Sequence, residues 1–358
     1  MNILTVIGAR PQFVKSWPVS ASLKQSGVGE FLVHTGQHYD YQMSEVFFQE
    51  LSLKAPDVNL EIGSGGHGYQ TGAIMQALEP VMESQRPNAV LVYGDTNSTL
   101  AGALTAVKLQ IPVIHVEAGL RSFNHRMPEE HNRVLTDHCS RLLLCPTPSA
   151  VNNLAKEGVT AGVHLSGDVM MDAVSAAQVI ASTSGRMEAV RGLTPEGYYL
   201  ATIHRADSTD QPAVLRELLG ALAALSFPVI LPAHPRLRQR LHVYDEMLKN
   251  SKITVIEPLG YIDMIHLLVN ARGVFTDSGG LQKEAVWLGI PCVTLREETE
   301  WVETTQDGYN QLAGLSALRI AEAEAKLPPK RKSMLNSTSG ASIRCVEIID
   351  EFLRDQII

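Results

Sequence analysis

Three acidic residues in the first half of the 358-residue chain stand where a carboxylate could move a proton. Asp95 follows the apolar run "AVLVY", and Glu117 ends the run "PVIHVE", two residues after His115 and therefore on the same strand face. Glu129 lies in the next segment, the densest run of ionisable residues in the chain. Since an unpaired carboxylate at the end of a buried strand is costly, Glu117 favours a chemical role such as general acid–base catalysis.

Simpler explanations exist for part of this polar set. Asp95 or Ser98 could cap the helix that follows, a common role for both residue types. Capping does not need the whole sequence "GDTNS", however, so at least one polar group has another task. A solvated loop best explains three residues of the ionisable run: Arg126, His131 and Arg133.

Cations at other strand ends could meet an anion. The first apolar run leads into "GARPQFVK", where Arg10 could hold a phosphate with its planar fork and Lys15 as a point charge. A cation beside a helix N-terminus is otherwise unfavourable, so Arg10 favours a binding role. In "TIHRAD", His204 could bind phosphate as an imidazolium or move a proton as a neutral imidazole.

The segment "GVFTDSGGLQKEA" predicts an anion site at a helix start. Ser278, Gly279 and Gly280 separate an apolar run from a helical pattern, and the first turn of a helix offers unpaired N–H groups and a positive dipole. The segment has neither a Walker lysine nor a G-x-G-x-x-G motif. Glu284 could bind a ribose diol, although a glutamate in the first turn also favours the helix itself.

The composition argues against several classes of protein. With 30 basic and 38 acidic residues, a net charge of -8, the chain predicts no nucleic-acid surface. The four cysteines form no C-x-x-C pair and are expected in the core of a cytoplasmic protein. The chain contains no run of 18 apolar residues, so no membrane-spanning helix is predicted. A metal site is the weaker interpretation of the His and Glu residues, because no fixed ligand spacing occurs.

Strands and helices must bring these side chains together. Apolar runs alternate with helical patterns, which is typical of parallel sheets covered on both faces. The runs are "ILTVI", "FLVHT", "AVLVYG", "PVIHVE" and "LLLCPT", then "YYLATIH", "FPVILPAH", "ITVIEPLG", "GVFTDSGG" and "PCVTLRE". We predict an α/β protein with two doubly wound, Rossmann-like domains facing across a cleft, with ligands beyond the carboxyl ends of the strands.

The domain boundaries are predicted from changes in composition. The N-terminal domain covers residues 1–168, a linker 169–196 and the C-terminal domain 197–340. Residues 341–358 predict an amphipathic helix that packs back on the N-terminal domain. Its predicted apolar face consists of Ile343, Val346, Ile349 and Leu353.

Seven segments, taken in order, closely resemble the UDP-N-acetylglucosamine 2-epimerase family. They are "GARPQFVK", "HTGQHYD", "GDTNSTLAGA", "HVEAGLRSF", "MPEEHNRVLTDH", "TIHRAD" and "TDSGGLQKEA". The resemblance covers nearly the whole chain. It implies a fold of the glycosyltransferase B type, UDP bound mainly by the C-terminal domain, a homodimer, and neither a metal nor a nicotinamide cofactor.

The resemblance also implies roles for individual residues. In that family UDP leaves C1 of the sugar, an acetamidoglycal forms, and UDP returns with C2 inverted. The diphosphate would meet Arg10, Lys15 and the catalytic His204, and the helix start would receive phosphate at Ser278, Gly279 and Gly280. Glu284 would bind the ribose. The catalytic carboxylates would be Asp95, Glu117 and Glu129.

The chain departs from the well-known bacterial enzymes at three places. They have His-Arg-Arg-Glu where this chain has "HRAD", an arginine near the position of Trp301, and a different run after Gln37 and His38. "GARPQF", "GQHYD", "MSEVFF" and "ETEWVET" are more similar to the branch with UDP-2,3-diacetamido-2,3-dideoxyglucuronate 2-epimerase of O-antigen synthesis. A uronate needs a further cation near C6, for which the candidates are Arg121, Arg126 and Arg296.

Three other functions are compatible with the pattern. A hydrolysing 2-epimerase would release UDP and a free sugar, and a glycosyltransferase of the same fold would need an acceptor pocket. A non-catalytic nucleotide-sugar sensor is the third, but binding alone does not need Asp95, Glu117 and Glu129.

Overall fold

The computed structural model divides the chain into two compact units. The first comprises Met1–Ala173 with Ser339–Ile358, and the second is Val174–Thr338. Four features of the sequence analysis lie outside the described residues: the "HYD" of "GQHYD", "MSEVFF", Glu300 of "ETEWVET" and residues 184–193 of the predicted linker. The described residues are 1–37, 50–51, 53–183, 194–299, 301–335 and 340–356.

The first unit is built on a seven-stranded parallel sheet with the order β3-β2-β1-β4-β5-β6-β7. The strands are β1 (Asn2–Ile7), β2 (Gly29–His34), β3 (Val58–Asn59), β4 (Ala89–Tyr93), β5 (Val113–Val116), β6 (Leu142–Cys145) and β7 (Val163–Leu165). The helices are α1 (Arg10–Gln25), α2 (His67–Gln85), α3 (Asn97–Lys108), α4 (Pro128–Cys139), α5 (Pro148–Lys156), α6 (Val169–Thr183), which contains the boundary between the units, and α14 (Ala341–Asp355).

The second unit has a six-stranded parallel sheet with the order β10-β9-β8-β11-β12-β13. The strands are β8 (Tyr199–Thr202), β9 (Val229–Pro232), β10 (Ile253–Ile256), β11 (Gly273–Thr276), β12 (Cys292–Thr294) and β13 (Asn310–Leu312). The helices are α7 (Ala206–Thr209), α8 (Pro212–Ala224), α9 (Pro235–Leu241), α10 (Asp245–Lys249), α11 (Tyr261–Asn270), α12 (Gly279–Trp287) and α13 (Ala317–Ala325), with 3₁₀ turns at His242–Tyr244 and Val302–Thr305.

The predicted pair of doubly wound α/β folds is confirmed, and each predicted apolar run contains a strand. In each sheet the strand order reverses once, between β1 and β4 in the first and between β8 and β11 in the second. Ligands of open parallel sheets bind at the carboxyl ends of strands beside such a reversal. The candidate residues Arg10 and Asp95 follow β1 and β4, and His204 and Ser278 follow β8 and β11.

Central strands form continuous apolar runs because helices cover both of their faces. All five residues of Ala89–Tyr93 are buried. Val90 and Val92, two apart on one face, pack with Leu78 of α2 and Ala101 of α3. A corresponding core in the second unit joins β8, β9 and β11 to α8.

The chain has no predicted membrane span, and none of the helices in its described part is long and apolar enough to cross a membrane. The cysteines are free thiols, as expected for core residues. Three are buried (Cys145, Cys292 and Cys345), and Cys139 is half-buried.

The C-terminal helix α14 packs on α1 and β6 of the first unit. Its apolar face differs from the predicted one, because Ile343 is 54% exposed. The buried face is set by the 3.6-residue period counted from Ser342 and not from Ile343. The buried residues are Ala341, Ser342, Cys345, Val346, Ile349 and Leu353.

Asp172 of α6 fixes the start of α14. Its carboxylate accepts hydrogen bonds from the backbone N–H of Gly340 at 2.9 Å and of Ser342 at 2.7 Å, and from the Ser342 hydroxyl. The cap residue Gly340 has a left-handed φ of 116° and supplies no side chain. Asp172 therefore supplies the acceptor that helix N-termini usually find in their own cap residue.

We expect Asp172→Ala to lower the free energy of unfolding by about 1–3 kcal/mol, because the donors at the start of α14 lose their acceptor. Urea unfolding at pH 7 measures the loss. The matched control is Asp350→Asn, which breaks the ion pair with Arg354 on the outer side of the same helix and should change stability by at most about 0.5 kcal/mol. Equal losses in the two variants would contradict this account.

Candidate active site

Asp95 lies in the turn between β4 and α3, beside the reversal of the first sheet. The cap of α3 is Thr96, whose side-chain oxygen accepts the N–H of Thr99 at 3.3 Å. Ser98 lies inside the first turn, where its hydroxyl meets that of Thr35 at 2.8 Å. The interpretation of Asp95 or Ser98 as the helix cap is therefore wrong, and the Asp95 carboxylate has another partner.

Glu117 follows the last residue of β5 in a left-handed conformation, with φ at 72°. This conformation strains a residue other than glycine by roughly 1–3 kcal/mol. The expectation that strand alternation sets its direction is wrong, because the turn begins at Glu117 itself. The turn brings its buried carboxylate onto the ammonium of Lys15 in α1. Gly94, with φ at 63°, lies against the pair, and a Cβ there would come 3.3 Å from Glu117 Oε2.

Arg133 of α4 is the partner of Asp95, and the solvated-loop interpretation of this arginine is wrong. Its side chain is 9% exposed, and its NH1 donates to Asp95 Oδ2 at 2.6 Å. Its NH2 donates to Glu130 Oε2, one turn earlier on α4, at 2.7 Å. The guanidinium therefore holds the acid at the end of β4 against the helix that carries Glu129. Arg126 and His131 are exposed, as the same interpretation predicts.

Lys15 is the second cation of the acidic cluster. Burial alone would lower the pKa of Lys15, but the negative charges of Glu117, Asp95 and Asp168 raise it above its ordinary value. Asp168, at the end of the predicted N-terminal domain, is only 8% exposed and therefore belongs to the interior. The structure thus places Lys15 among carboxylates, and its contact with a diphosphate remains a prediction.

Glu129, near the start of α4, completes the trio of predicted carboxylates. Its side chain is half-buried. Burial raises the pKa of Asp95 above its ordinary value; the charges of Arg133 and Lys15 oppose the shift, while those of Glu117 and Glu129 add to it. The structure therefore brings both Glu117 and Glu129 within electrostatic reach of Asp95.

A buried network supports both acidic turns from beneath. His115 places Nε2 2.8 Å from the carbonyl oxygen of Gly94 and Nδ1 2.7 Å from Asp137 Oδ1. The other oxygen of Asp137 accepts the N–H of Gly119 at 3.1 Å and Arg121 NH1 at 2.7 Å. Arg121 forms a further fork with Glu157, at 2.7 and 2.8 Å, and its side chain is 1% exposed. Its interpretation as a cation for a uronate is therefore wrong, because internal carboxylates hold it.

His204 and Asp277 face each other where β8 and β11 of the second unit end. His204 Nδ1 lies 2.8 Å from Asp277 Oδ1. The imidazole is 39% exposed, whereas the Asp277 side chain is completely buried. Burial alone would raise the pKa of Asp277, but the hydrogen bond and charge of His204 lower it below its ordinary value. Asp277 stands in the segment "GVFTDSGG" but is not among the site residues predicted from the sequence.

The predicted anion cradle is the start of α12. Ser278 is the helix cap, and its hydroxyl accepts the N–H of Leu281 at 3.4 Å. Gly280 is exposed, and a Cβ added to it would meet only Ser278 Oγ, at 4.0 Å. Glu284 is buried one turn later, and Tyr261 donates its hydroxyl to Oε1 at 3.2 Å. The helix start is therefore open to an anion, and the glutamate is held from behind.

Three further predicted cations occupy different settings. Arg10 lies half-buried at the first position of α1, and Arg296 lies half-buried just beyond β12. Arg126 is exposed in a turn before α4. Among the described residues, no group of three or more His, Cys, Asp or Glu side chains could hold a metal ion.

Comparison with known proteins gives one consistent family. Residues 21–349 match the sequence model of the family described as UDP-N-acetylglucosamine 2-epimerase. The chain is 45% identical over 356 residues to a UDP-N-acetylglucosamine 2-epimerase homolog of Methanococcus maripaludis, with 98% of this chain and 99% of that protein covered. It is 48% identical over 331 residues to UDP-2,3-diacetamido-2,3-dideoxy-D-glucuronate 2-epimerase of Pseudomonas aeruginosa, with 90% and 91% covered.

A solved structure has the same fold over its whole length. It is the crystal structure of Methanocaldococcus jannaschii UDP-GlcNAc 2-epimerase in complex with UDP-GlcNAc and UDP, with a TM-score of 0.90 and 39% identity. The similarity covers 98% of this chain and 100% of that one.

Glu130 generates a prediction about acid stability. Burial alone would raise the pKa of Glu130, but the N–H of Ser122, the guanidinium of Arg133 and the N–H of Phe123 lower it from 4.5 to about 2. We expect Glu130→Gln to lower the free energy of unfolding by roughly 1–3 kcal/mol at pH 7. The difference from wild type should shrink as the pH falls below about 4.5 towards 2, because the depressed pKa stabilises only the ionised form.

Urea unfolding between pH 7 and pH 3 measures this difference. The control is the exposed Glu83→Gln on α2, which should stay within about 0.5 kcal/mol of wild type throughout. A loss in Glu130→Gln that is the same at every pH would show that the carboxylate charge is unimportant.

Proposed function

This chain belongs to the UDP-N-acetylglucosamine 2-epimerase family, and from that premise we propose that it inverts C2 of a UDP-2-acetamido sugar without hydrolysing it. The observation that carries the proposal is the pairing of Glu117 with Lys15 and of Asp95 with Arg133, with Glu129 close enough for its charge to act on Asp95. Binding a nucleotide sugar does not need three acids in such a setting. Removing and returning a proton at carbon does.

The reaction needs elimination because no ketone acidifies the proton on C2. One carboxylate takes that proton, the electrons of the C2–H bond form a C1=C2 double bond, and the C1–O electrons leave with UDP. A second, initially protonated acid then delivers a proton to the opposite face of C2 while UDP re-forms the bond to C1. Asp95 suits a share in this cycle, because its raised pKa eases protonation. The carboxylates also stabilise oxocarbenium-like charge at C1.

The second unit is proposed to bind the UDP moiety. The N–H groups at Ser278, Gly279 and Gly280 lie at an open helix start, which suits a phosphate. His204 follows the neighbouring strand and supplies a cation or a hydrogen-bond donor. In this proposal Glu284 binds the ribose diol, and Arg10, Lys15 and Arg296 are the remaining substrate-binding residues.

Two substrate classes follow from the relatives: UDP-N-acetylglucosamine and the UDP-2,3-diacetamido uronate that gives the Pseudomonas aeruginosa protein its name. Arg126 and Arg296 remain the candidate cations for a C6 carboxylate. We further propose that the enzyme is a cytoplasmic homodimer that supplies precursors for cell-surface polysaccharide such as O-antigen. The family membership supports these points.

Incubation with each UDP-sugar in D2O, followed by NMR of C2, tests the activity directly. We expect deuterium at C2 of a UDP-linked product, because the acid that delivers the new C2 proton has exchanged its own proton with D2O. Free sugar together with UDP would instead identify a hydrolysing enzyme. Transfer that requires an added acceptor would identify a glycosyltransferase, and binding without any exchange would identify a sensor.

Substitutions should separate chemistry from binding. We expect Glu117→Gln and Asp95→Asn to lower C2 exchange by about 100-fold or more while UDP affinity changes little. The matched control is Asp57→Asn, which removes a carboxylate from the partly exposed pair with Lys54 at 2.6 Å and should leave exchange intact. Isothermal titration with UDP and NMR exchange rates give the two readouts.

Glu284→Ala should show the opposite pattern and weaken UDP binding by about 10-fold or more, because a charged hydrogen-bond acceptor is lost. Tyr261→Phe is its control, since it removes the hydroxyl that contacts Glu284 and keeps the carboxylate. Normal UDP binding by Glu284→Ala, with exchange abolished, would mean that the roles of the two units have been interchanged.

A further inference from the structure

Asp277 is a buried carboxylate at the junction of two predicted binding elements. It follows β11 and directly precedes Ser278, the cap of α12. Its backbone N–H donates to the carbonyl oxygen of Thr202 in β8 at 3.3 Å, which brings the end of β8 alongside. Because its side chain is completely buried, the charge needs hydrogen-bond donors that the protein itself supplies.

Three donors converge on this carboxylate, and all come from His204 and its neighbour. The N–H groups of His204 and Arg205 each donate to Asp277 Oδ2 at 2.9 Å. The imidazole Nδ1 lies 2.8 Å from Oδ1. The two backbone bonds fix where residue 204 lies, and the ring bond fixes how its imidazole is turned.

The ring bond also decides which nitrogen carries the proton. A carboxylate only accepts, so Nδ1 must donate, and the second ring nitrogen, Nε2, is left for the exposed edge of the imidazole. A donor at Nε2 as well therefore requires the imidazolium, which carries a proton on both ring nitrogens. A second imidazole, that of His234, lies beside the ring, with the ring centres 6.0 Å apart, and its Nδ1 accepts the N–H of Arg236.

We propose that Asp277 is a positioning residue that holds His204 with Nε2–H directed at the departing diphosphate. This inference rests on the function proposed above. When the C1–O bond breaks, its electron pair stays on the diphosphate oxygen, and Nε2–H donates a hydrogen bond to that growing charge. Because Nδ1–H is committed to Asp277, a proton on Nε2 makes His204 an imidazolium, whose charge the carboxylate balances. Without Asp277 that charge loses its partner, and the ring is free to rotate. No proton needs to leave His204 for the atoms to balance.

The same residue links this donor to the phosphate cradle. Asp277 and Ser278 are consecutive, so the carboxylate that orients His204 is anchored by the backbone that starts α12. The imidazole and the helix start are therefore held in one fixed geometry. Such preorganisation is what makes a donor effective at a charge that develops only in the transition state.

A double-mutant cycle tests whether Asp277 acts through His204. We expect Asp277→Asn to lower C2 deuterium exchange by about 100-fold or more, and UDP affinity by less than about 10-fold. Combined with His204→Asn, it should lower exchange no further than about 3-fold beyond His204→Asn alone, since residues acting as one unit are not additive. Effects of the two substitutions that simply multiply would overturn the proposal.

The control is Asp210→Asn, which removes an exposed carboxylate just after α7 near Arg236 and Arg240 and should keep wild-type exchange. Wild-type protein that incorporates no deuterium would overturn the proposed function and leave this assignment to the spectrum described next.

That spectrum is recorded on wild-type protein, so the result does not depend on whether Asp277→Asn folds. Protein labelled with ¹⁵N-histidine and saturated with UDP is examined by NMR, and the His204 signals are identified by their loss in His204→Asn. We expect protons on both Nδ1 and Nε2 of His204 in the UDP complex. A His204 that carries a single proton, on either nitrogen, would overturn the proposal, even if Asp277→Asn is inactive.

Discussion

Three carboxylates, Asp95, Glu117 and Glu130, can lie close together in the first unit because two largely buried cations pair with them. Like charges a few ångströms apart repel strongly where water is excluded, and the alternative is that the acids take up protons. Lys15 offsets Glu117, and Arg133 is shared between Asp95 and Glu130. The cations come from α1 and α4, so both helices must be in place before the acidic turns are stable.

Both units stabilise a buried aspartate carboxylate with the same arrangement of hydrogen-bond donors. Each has a fully buried aspartate that binds a histidine Nδ1 and the backbone N–H groups of a turn: Asp137 with His115 and Gly119, and Asp277 with His204 and Arg205. A carboxylate with several donors can stay charged out of contact with water. In both cases it anchors a turn at the carboxyl end of a central strand, where the proposed reacting and binding groups lie.

The central architecture could be predicted because buried parallel strands require continuous apolar runs, as in Ala89–Tyr93. The edge strands β3, β7 and β13 escaped prediction because they are only two or three residues long and carry no such run. Arg133 and Asp277 were missed for a different reason. Their roles depend on partners far away in the chain, and a spacing rule detects only near neighbours. The spacing of Glu130 and Arg133, three residues apart on one helix face, was the one sequence pattern that indicated an ion pair in this segment.

The return of α14 to the first unit has a consequence for how the protein is made. The buried face of α14, including Val346, Ile349 and Leu353, covers α1 and β6, which are synthesised long before it. A ribosome has therefore completed the entire second unit before the first receives its last piece of core. During that interval the N-terminal portion exposes apolar surface, so nascent chains depend on chaperones or on quick completion of synthesis.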